Sequence, residues 1–239
     1  MKYIVGCSFG KDSMATLYTA VSKGIPIDEV IYCEVMFSSE ISGEHPEHRT
    51  FIYEQAIPWI QSHGLPVTVL QSEKTYIDCF YHIIKRSKYP GLVGKYKGFP
   101  LTGRCYVQDR CKARTLDRYK KKMKQECIQY VGITLDEPLR LEKLKPNQKS
   151  LLAMEGLTQE DTYRICEREG LLSPIYNITN RGGCWFCPNS KDRELQHIKS
   201  YYPDYWEKLM ALGREEDVAT RRFNRKETMS ELNNRIKAV

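Results

Sequence analysis

The first eighteen residues constrain this chain more than any other stretch. Lys2-Tyr3-Ile4-Val5-Gly6-Cys7 is a short β-branched and aromatic run, the make-up of a buried parallel strand. Met14, Leu17, Tyr18 and Val21 follow at i, i+3, i+4 and i+7, the apolar stripe of a helix. Between them lies a small polar turn, Ser8-Phe9-Gly10-Lys11-Asp12-Ser13. A strand that passes through such a turn into a helix aims the open amides of the helix start above the sheet. Those amides, with the positive end of the helix dipole, make an anion site. Lys11 adds a point charge for phosphate, and Ser8 and Ser13 add hydroxyl donors. The plainer alternative is a strand–helix corner capped by Ser8 and Asp12.

The alternation continues. Residues 27–37 read as a second strand, 65–70 as a third and 127–133 as a fourth. A helix is predicted over 46–63, with Pro46 near its start and Gly64 just past its end. Further helices are expected over 76–84 and 109–125, and residues 87–103, rich in Gly, Pro, Lys and Tyr, read as a mobile loop over a site. Strands alternating with helices predict an α/β fold, a parallel sheet covered by helices on both faces. Ligands of such sheets bind beyond the carboxyl ends of the strands, where 10–13, 38–44 and 134–140 are expected. From 141 a charged linker leads to a helix start at Thr158, with Asp161 three residues on, and then to a helical region carrying a cysteine pair.

Nine cysteines is an odd number, and Cys7, Cys33 and Cys127 sit inside apolar runs. A disulfide framework is disfavoured, and a reducing cytoplasm is expected. Cys184-Trp185-Phe186-Cys187 is a Cys-x-x-Cys pair between Gly183 and Pro188. Upstream, Cys105 and Cys111 have Arg104, Arg110 and Lys112 beside them, cations expected to lower thiol pKa values. Four thiolates complete a tetrahedral zinc site or hold a [4Fe–4S] cluster. A redox-active pair and inert thiols are the other readings. Cys79 and Cys166 have no partner spacing and receive no role.

The turn lacks the four residues between two glycines that the common mononucleotide loop places before its lysine. Ser8-Phe9-Gly10-Lys11-Asp12-Ser13 resembles instead the pyrophosphate loop, Ser-x-Gly-Lys-Asp-Ser, of the adenine nucleotide α-hydrolase (PP-loop) superfamily, with Phe9 where glycine is usual. Three further pieces are similar to the phosphoadenosine phosphosulfate (PAPS) reductase family of that superfamily: Glu44-His45-Pro46-Glu47, the stretch 132–140, and Gly183 to Pro188 followed by Tyr202-Pro203-Asp204-Tyr205-Trp206. The resemblance covers roughly residues 1 to 210. It implies a Rossmann-like adenine nucleotide-binding domain over 1–140, with 141–239 a C-terminal cysteine and helical region packed on it. ATP or a related adenine nucleotide would bind at Ser8, Phe9, Gly10, Lys11, Asp12 and Ser13, with Glu34, Asp136 and Glu137 nearby. Lys11, Asp12 and Arg140 would be catalytic. Asp12 either positions Mg on the phosphates or caps the helix, and Glu34 is either a ligand or an ordinary strand-end carboxylate. His45 and His48 read as polar residues at a helix start.

In assimilatory sulfonucleotide reductases a cysteine of the basic helix joins a later Cys-x-x-Cys to hold an iron–sulfur cluster. Cys111 occupies the matching place; Arg110 stands where those enzymes have a second cysteine, which leaves Cys105 to complete the set with Cys184 and Cys187. The resemblance thus favours [4Fe–4S] over zinc. Sulfonucleotide reduction normally needs a cysteine near the C-terminus, and none follows Cys187. ATP-dependent adenylation followed by sulfur transfer is therefore preferred. A PAPS or APS reductase, or a non-catalytic nucleotide-binding module with a structural zinc, is the alternative.

The formal charge of +7 favours anionic ligands. Lys112, Arg114, Arg118, Lys120, Lys121, Lys122 and Lys124 form a basic run, and 214–226 a second group with Phe223. These admit tRNA or DNA as substrate. A sulfur or electron donor protein is a further expected partner. No apolar run has the length of a membrane span, and no signal peptide is expected.

Overall fold

In the computed structural model, residues 1–100, 105–123 and 125–238 are described. In chain order the elements are β1 (Lys2–Gly6), α1 (Lys11–Ser22), β2 (Glu29–Glu34), α2 (Pro46–Phe51), α3 (Ile57–Ser62), β3 (Val67–Gln71), α4 (Tyr76–Phe80), β4 (Tyr96–Gly98), α5 (Arg114–Lys122) and β5 (Cys127–Tyr130). Then come α6 (Pro138–Leu141), β6 (Gln148–Lys149), α7 (Leu151–Met154), α8 (Gln159–Arg168), α9 (Asp192–Tyr201), α10 (Pro203–Gly213), β7 (Val218–Thr220) and α11 (Met229–Arg235). Among the described residues no helix is long and apolar enough to cross a membrane.

Two compact units emerge, each assembled from three stretches. The first joins 1–33, 46–70 and 118–182; the second joins 34–45, 71–117 and 183–239. The sequence boundary at 140/141 falls inside the first unit. Compactness follows strand pairing, and β6, beyond residue 141, pairs with β5.

The sheet of the first unit has the order β3-β2-β1-β5-β6. β1 runs parallel to β2 and to β5, with Val5 opposite both Val30 and Tyr130. The chain leaves β1 toward β2 on one side and later returns to β5 on the other. That reversal makes the β1/β5 crevice the topological switch point, where ligands of such sheets bind. Val5, Phe9, Met14, Leu17, Tyr32 and Tyr130 belong to its buried core, so Met14 and Leu17 of the stripe read from the sequence of α1 face inward, while Tyr18 and Val21 are half-buried. The helix expected over 46–63 is broken by a π-helical turn, Ile52–Ala56, just before Pro58. Proline supplies no amide and its ring crowds the carbonyl four residues back, which widens the preceding turn.

Glu29 in β2 is an internal anchor. Its carboxylate accepts from Lys2 Nζ at 2.7 Å and from the hydroxyls of Thr68 and Tyr119. Burial raises its pKa, but those three donors together outweigh burial and hold it below the ordinary value of 4.5. A depressed folded-state pKa means stability that is present above the unfolded value and lost as pH falls through the folded one. Glu29→Ala should cost about 2–3 kcal/mol at pH 7, because two hydroxyls lose a charged acceptor. Its deficit against wild type should shrink as pH drops below about 4.5. Urea melts from pH 7 to 3 test this; a deficit independent of pH would refute it.

The second unit has its own core, in which Phe37, Tyr76, Phe99, Trp185, Phe186 and Phe223 are buried. α4 starts on a capping box, Thr75 and Asp78, and ends at Phe80, earlier than the expected Ile84. Ile84 instead donates its amide to Lys95 across a turn. Within the expected loop over 87–103 lies β4, paired in parallel with β7. Neither strand is apparent in sequence, because each has three residues and its partner is far away in the chain. The 101–103 part of that loop, with Arg104 and Lys124, lies outside the described residues. Phe223, read with the basic group over 214–226, is 1% exposed and packs edge-on against Phe99 at 5.5 Å. It is a core residue and offers no surface for a nucleic acid base.

Candidate active site

In the turn between β1 and α1 one non-glycine residue takes a left-handed backbone. Phe9 has φ 57, the left-handed backbone glycine favours. Phe9 thus adopts a backbone that glycine would adopt more easily, and adds a side chain to it. Its ring is fully buried and meets Tyr32 edge-on at 4.9 Å, so it packs beneath the loop. Ser13 Oγ donates to the Gly10 carbonyl at 2.9 Å and accepts from the Ser8 amide at 3.3 Å, tying the loop across its neck.

α1 begins at Gly10 with no side-chain cap. The plain-corner reading, with Ser8 and Asp12 as caps, is therefore corrected: Asp12 Oδ1 accepts instead from Lys11 Nζ at 2.5 Å and from Thr162 Oγ1 at 2.8 Å. Lys11 Nζ also lies 3.1 Å from Thr162 Oγ1. The ammonium is thus held at the loop, its charge matched by one carboxylate.

Sequence reasoning missed the groups that brace this loop. Thr162 and Cys166 come from the inner face of α8, and the Cys166 thiol donates to the Lys11 carbonyl at 3.2 Å. Tyr176 Oη accepts from the Lys11 amide at 2.8 Å. Burial pushes that phenol up to about 12, so it stays neutral and leaves the loop's positive field intact. His48 spans from Ser173 Oγ (2.8 Å) to the Ser8 carbonyl (3.2 Å), so it is a brace of the loop as well as a polar residue at a helix start. The only available signal was the Thr158–Asp161 capping box, which the structure reproduces and which fixes the start of α8. A cavity of about 500 Å³ opens beside Lys11, lined in part by Tyr163, Arg164, Tyr176 and the acidic Glu160 and Glu167. That is within the size range of small-molecule sites.

Gly132, at the end of β5, packs directly on the loop. A Cβ there would sit 2.9 Å from the Asp12 carbonyl carbon and from the Ser13 nitrogen. Beyond it, Glu137 accepts from the Thr134 amide and hydroxyl, both at 3.2 Å, and from Arg140 at 2.5 Å. Burial raises the Glu137 carboxyl, but Arg140 and Thr134 outweigh burial and keep its pKa low. Asp136 is held low chiefly by the Thr134 hydroxyl, and it accepts from the Gln159 amide at 3.1 Å. Arg140 is exposed and engaged with Glu137. Glu34 belongs to the second unit. It is fully buried, accepting from Ser42 at 2.7 Å and Gln71 at 2.9 Å, the pattern of a structural strand-end carboxylate.

The second unit carries Cys105, Cys111, Cys184 and Cys187, and with them Cys79. None of the nine cysteines forms a disulfide among the described residues. Cys184 and Cys187 form a knuckle closed by the Cys187 amide on the Cys184 carbonyl at 3.0 Å. Trp185 pins it, with its amide on Gly43 and its indole N–H on Ser42, at 3.0 and 2.9 Å. Cys111 lies in a π-helical turn, Gln108–Ala113, that leads into α5. Its sulfur is 3.6 Å from that of Cys79, a cysteine to which spacing alone assigned nothing. Burial raises the Cys105 and Cys184 thiols, and the Cys79 contact followed by burial raises Cys111. The expected lowering by adjacent cations is corrected for Cys105 and Cys111: burial raises the first, and the Cys79 contact followed by burial raises the second.

Among the described residues no three His, Cys, Asp or Glu donors stand close enough together to hold a metal ion as placed. Four thiols are nonetheless the donor chemistry of a zinc or iron–sulfur site. The thiols of Cys105, Cys111 and Cys184 border a single core. In the same core Tyr76 Oη is buried without a hydrogen-bond partner among the described residues. Basic residues Arg114, Arg118, Lys121 and Lys122 of α5 are exposed, while Lys120 donates to Gln129 at 2.6 Å.

No family model matches the chain, and no curated protein does. Among solved structures it is similar to the U34-tRNA thiolase NcsA from Methanococcus maripaludis with its [4Fe-4S] cluster. The match covers 100% of this chain and 82% of that one, at 16% identity and a TM-score of 0.44. A likeness that loose transfers neither family nor reaction.

Proposed function

We propose that the protein is an adenine nucleotide-dependent enzyme of the PP-loop type, which adenylates a substrate oxygen and then transfers sulfur to the activated position. The observation that carries this reading is the loop at 8–13: an uncapped helix start at a sheet switch point, with Lys11 held in place beside a cavity. Lys11 Nζ and the amides of Gly10, Asp12 and Ser13 bind the phosphates, the Lys11 amide being taken by Tyr176. Asp12 has a carboxylate available to Mg once phosphate takes over Lys11. The acceptor oxygen attacks the α-phosphorus, the α–β bridging P–O bond breaks, and pyrophosphate leaves with its charge offset by Lys11 and the amides. Hydrosulfide from a donor protein then displaces AMP, which departs with the acceptor oxygen. Arg140, freed from Glu137, supplies a second cation to the leaving group.

Cys105, Cys111, Cys184 and Cys187 would hold a [4Fe–4S] cluster, with zinc the alternative. When bound, the cluster supplies a site that can carry sulfur. The exposed cations of α5 suit an RNA or DNA phosphate backbone as acceptor.

The test is release of AMP and pyrophosphate from ATP by anaerobically purified protein, with hydrosulfide and with tRNA or DNA added in turn. Lys11→Ala should lower kcat/KM for ATP by about 10²–10³-fold, the scale of losing one stabiliser of developing charge. ATP binding without turnover under every condition, with one zinc per chain, would leave the non-catalytic module standing instead.

A further inference from the structure

One stretch of the second unit takes no part in the reaction above. Residues 79–108 contain no aspartate or glutamate, yet Lys85, Arg86, Lys88, Lys95 and Lys97 lie among them. The chain folds back on itself over 82–97 as a hairpin arm. The Lys97 amide donates to the His82 carbonyl at 3.0 Å, and the Ile84 amide to the Lys95 carbonyl at 2.9 Å. The Gly94 amide returns to the Ile84 carbonyl at 3.0 Å, on a φ of 91 that glycine adopts readily. At the base of the arm the Tyr96 amide donates to the Asp217 carbonyl at 2.9 Å. The tip is a 3-10 turn, Pro90–Leu92, closed by the Val93 amide on the Pro90 carbonyl at 3.0 Å. These bonds fix which side chains the arm presents.

It presents cations. Lys85, Arg86 and Lys88 are exposed. Lys74 and Arg110 add to the same field: after burial, it is Arg110, Lys97, Lys74 and Lys85 that hold the His82 imidazole below its ordinary value. Lys97 is itself held low, by burial first and by Arg110 next. The carboxylates on the other side of the balance are Asp217, 3.8 Å from Lys95, and Glu215, which accepts from the Tyr81 hydroxyl at 2.8 Å. Like charges gathered in this way repel, and a polyanion relieves the repulsion. Among the cations stands a ring. Tyr89 is 61% exposed, with the Lys88 ammonium 5.3 Å from its centroid. Aromatic rings on which bases stack, set beside cations that follow the phosphates, are how single strands are bound. Ile83 and Val93 are the other exposed apolar side chains of the arm. Both are β-branched, whereas a lipid surface is gripped by Trp, Phe or Leu, and Leu92 at the tip is half-buried.

We propose that the 82–97 arm is a binding surface for single-stranded nucleic acid. Tyr89 stacks on one base, and Lys85, Arg86 and Lys88 meet the phosphates beside it. As the seat of the acceptor strand the arm rests on the proposed function; as a binding surface it rests on its own residues. A duplex keeps its bases stacked on one another, so it can meet the cations but not the ring.

The experiment is fluorescence anisotropy of a labelled oligonucleotide of about 12 nucleotides, as single-stranded RNA, single-stranded DNA and matched duplex, over a range of salt and without ATP. Both single strands should bind more tightly than the duplex, and the tighter of the two identifies the acceptor as RNA or DNA. Tyr89→Ala should weaken binding about tenfold with the salt slope unchanged, the scale of one lost stack. Tyr89→Phe, which keeps the ring, should bind as wild type does. Lys85→Ala, Arg86→Ala and Lys88→Ala should each lower the slope of log K against log salt by about 0.7. Tyr201→Ala, at another exposed tyrosine, should change nothing. Duplex bound as well as single strand, with Tyr89→Ala unaffected, would overturn the inference. So would binding to phosphatidylserine vesicles with none to either oligonucleotide. Oligonucleotide binding by a protein that releases no AMP from ATP would leave the arm standing and remove the proposed reaction. AMP release without oligonucleotide binding would do the reverse.

Discussion

Gly132→Ala should cost the protein its nucleotide affinity, although residue 132 itself bears no functional group. The added methyl would lie 2.9 Å from the Asp12 carbonyl carbon and the Ser13 nitrogen and 3.0 Å from the Asp12 oxygen. All three are backbone atoms of the first turn of α1, so no flexible side chain can swing aside. Either β5 or the helix start must move, and overpacking of this kind costs about 1–3 kcal/mol. The displaced atoms belong to the amides assigned to phosphate, and each 1.4 kcal/mol lost in binding is tenfold in Kd. Calorimetry with a non-hydrolysable ATP analogue should therefore show affinity at least about tenfold weaker, with a lower Tm. Gly91→Ala is the control, since nothing lies within 4 Å of its added Cβ. Wild-type affinity in Gly132→Ala would show that the loop does not depend on this close approach.

Phe9 allows a sharper test, because its backbone and its side chain pull in opposite directions. Its φ of 57 costs a non-glycine residue about 1–2 kcal/mol. Its ring, fully buried against Tyr32, contributes more: Phe→Ala in a core costs about 3–5 kcal/mol. Phe9→Ala should lose the burial while keeping the strain, and so be the least stable. Phe9→Gly loses the same burial but relieves the strain, and should recover about 1 kcal/mol of the deficit. The expected order in chemical denaturation is wild type, then Phe9→Gly, then Phe9→Ala. A Phe9→Gly protein more stable than wild type would mean that the ring does not hold the loop. One less stable than Phe9→Ala would mean that the left-handed backbone is unstrained.

What is local and periodic was legible in the order of the amino acids alone. The apolar run of β1, the i, i+3, i+4 stripe of α1, the capping box at Thr158 and the polar turn over 8–13 are all encoded within a few positions of one another, so pattern reading reaches them. The Cys184–Cys187 knuckle is local in the same way. Tertiary structure decided whatever depends on partners distant in sequence. β4, β6 and β7 have three residues or fewer, and each exists through pairing with a strand elsewhere in the chain. Each of the two compact units is assembled from three stretches, because compactness follows pairing and packing rather than order. The braces of the loop, Thr162, Cys166, Tyr176 and His48, act across tens to more than a hundred residues. Their role comes from one or two hydrogen bonds each and leaves no period to read. Cys79 meets Cys111 for the same reason, and Tyr76 shows its orphaned hydroxyl only once the rings that enclose it are in place. Thiol acidity was likewise decided in three dimensions: neighbouring cations are visible in sequence, but the burial that outweighs them is not.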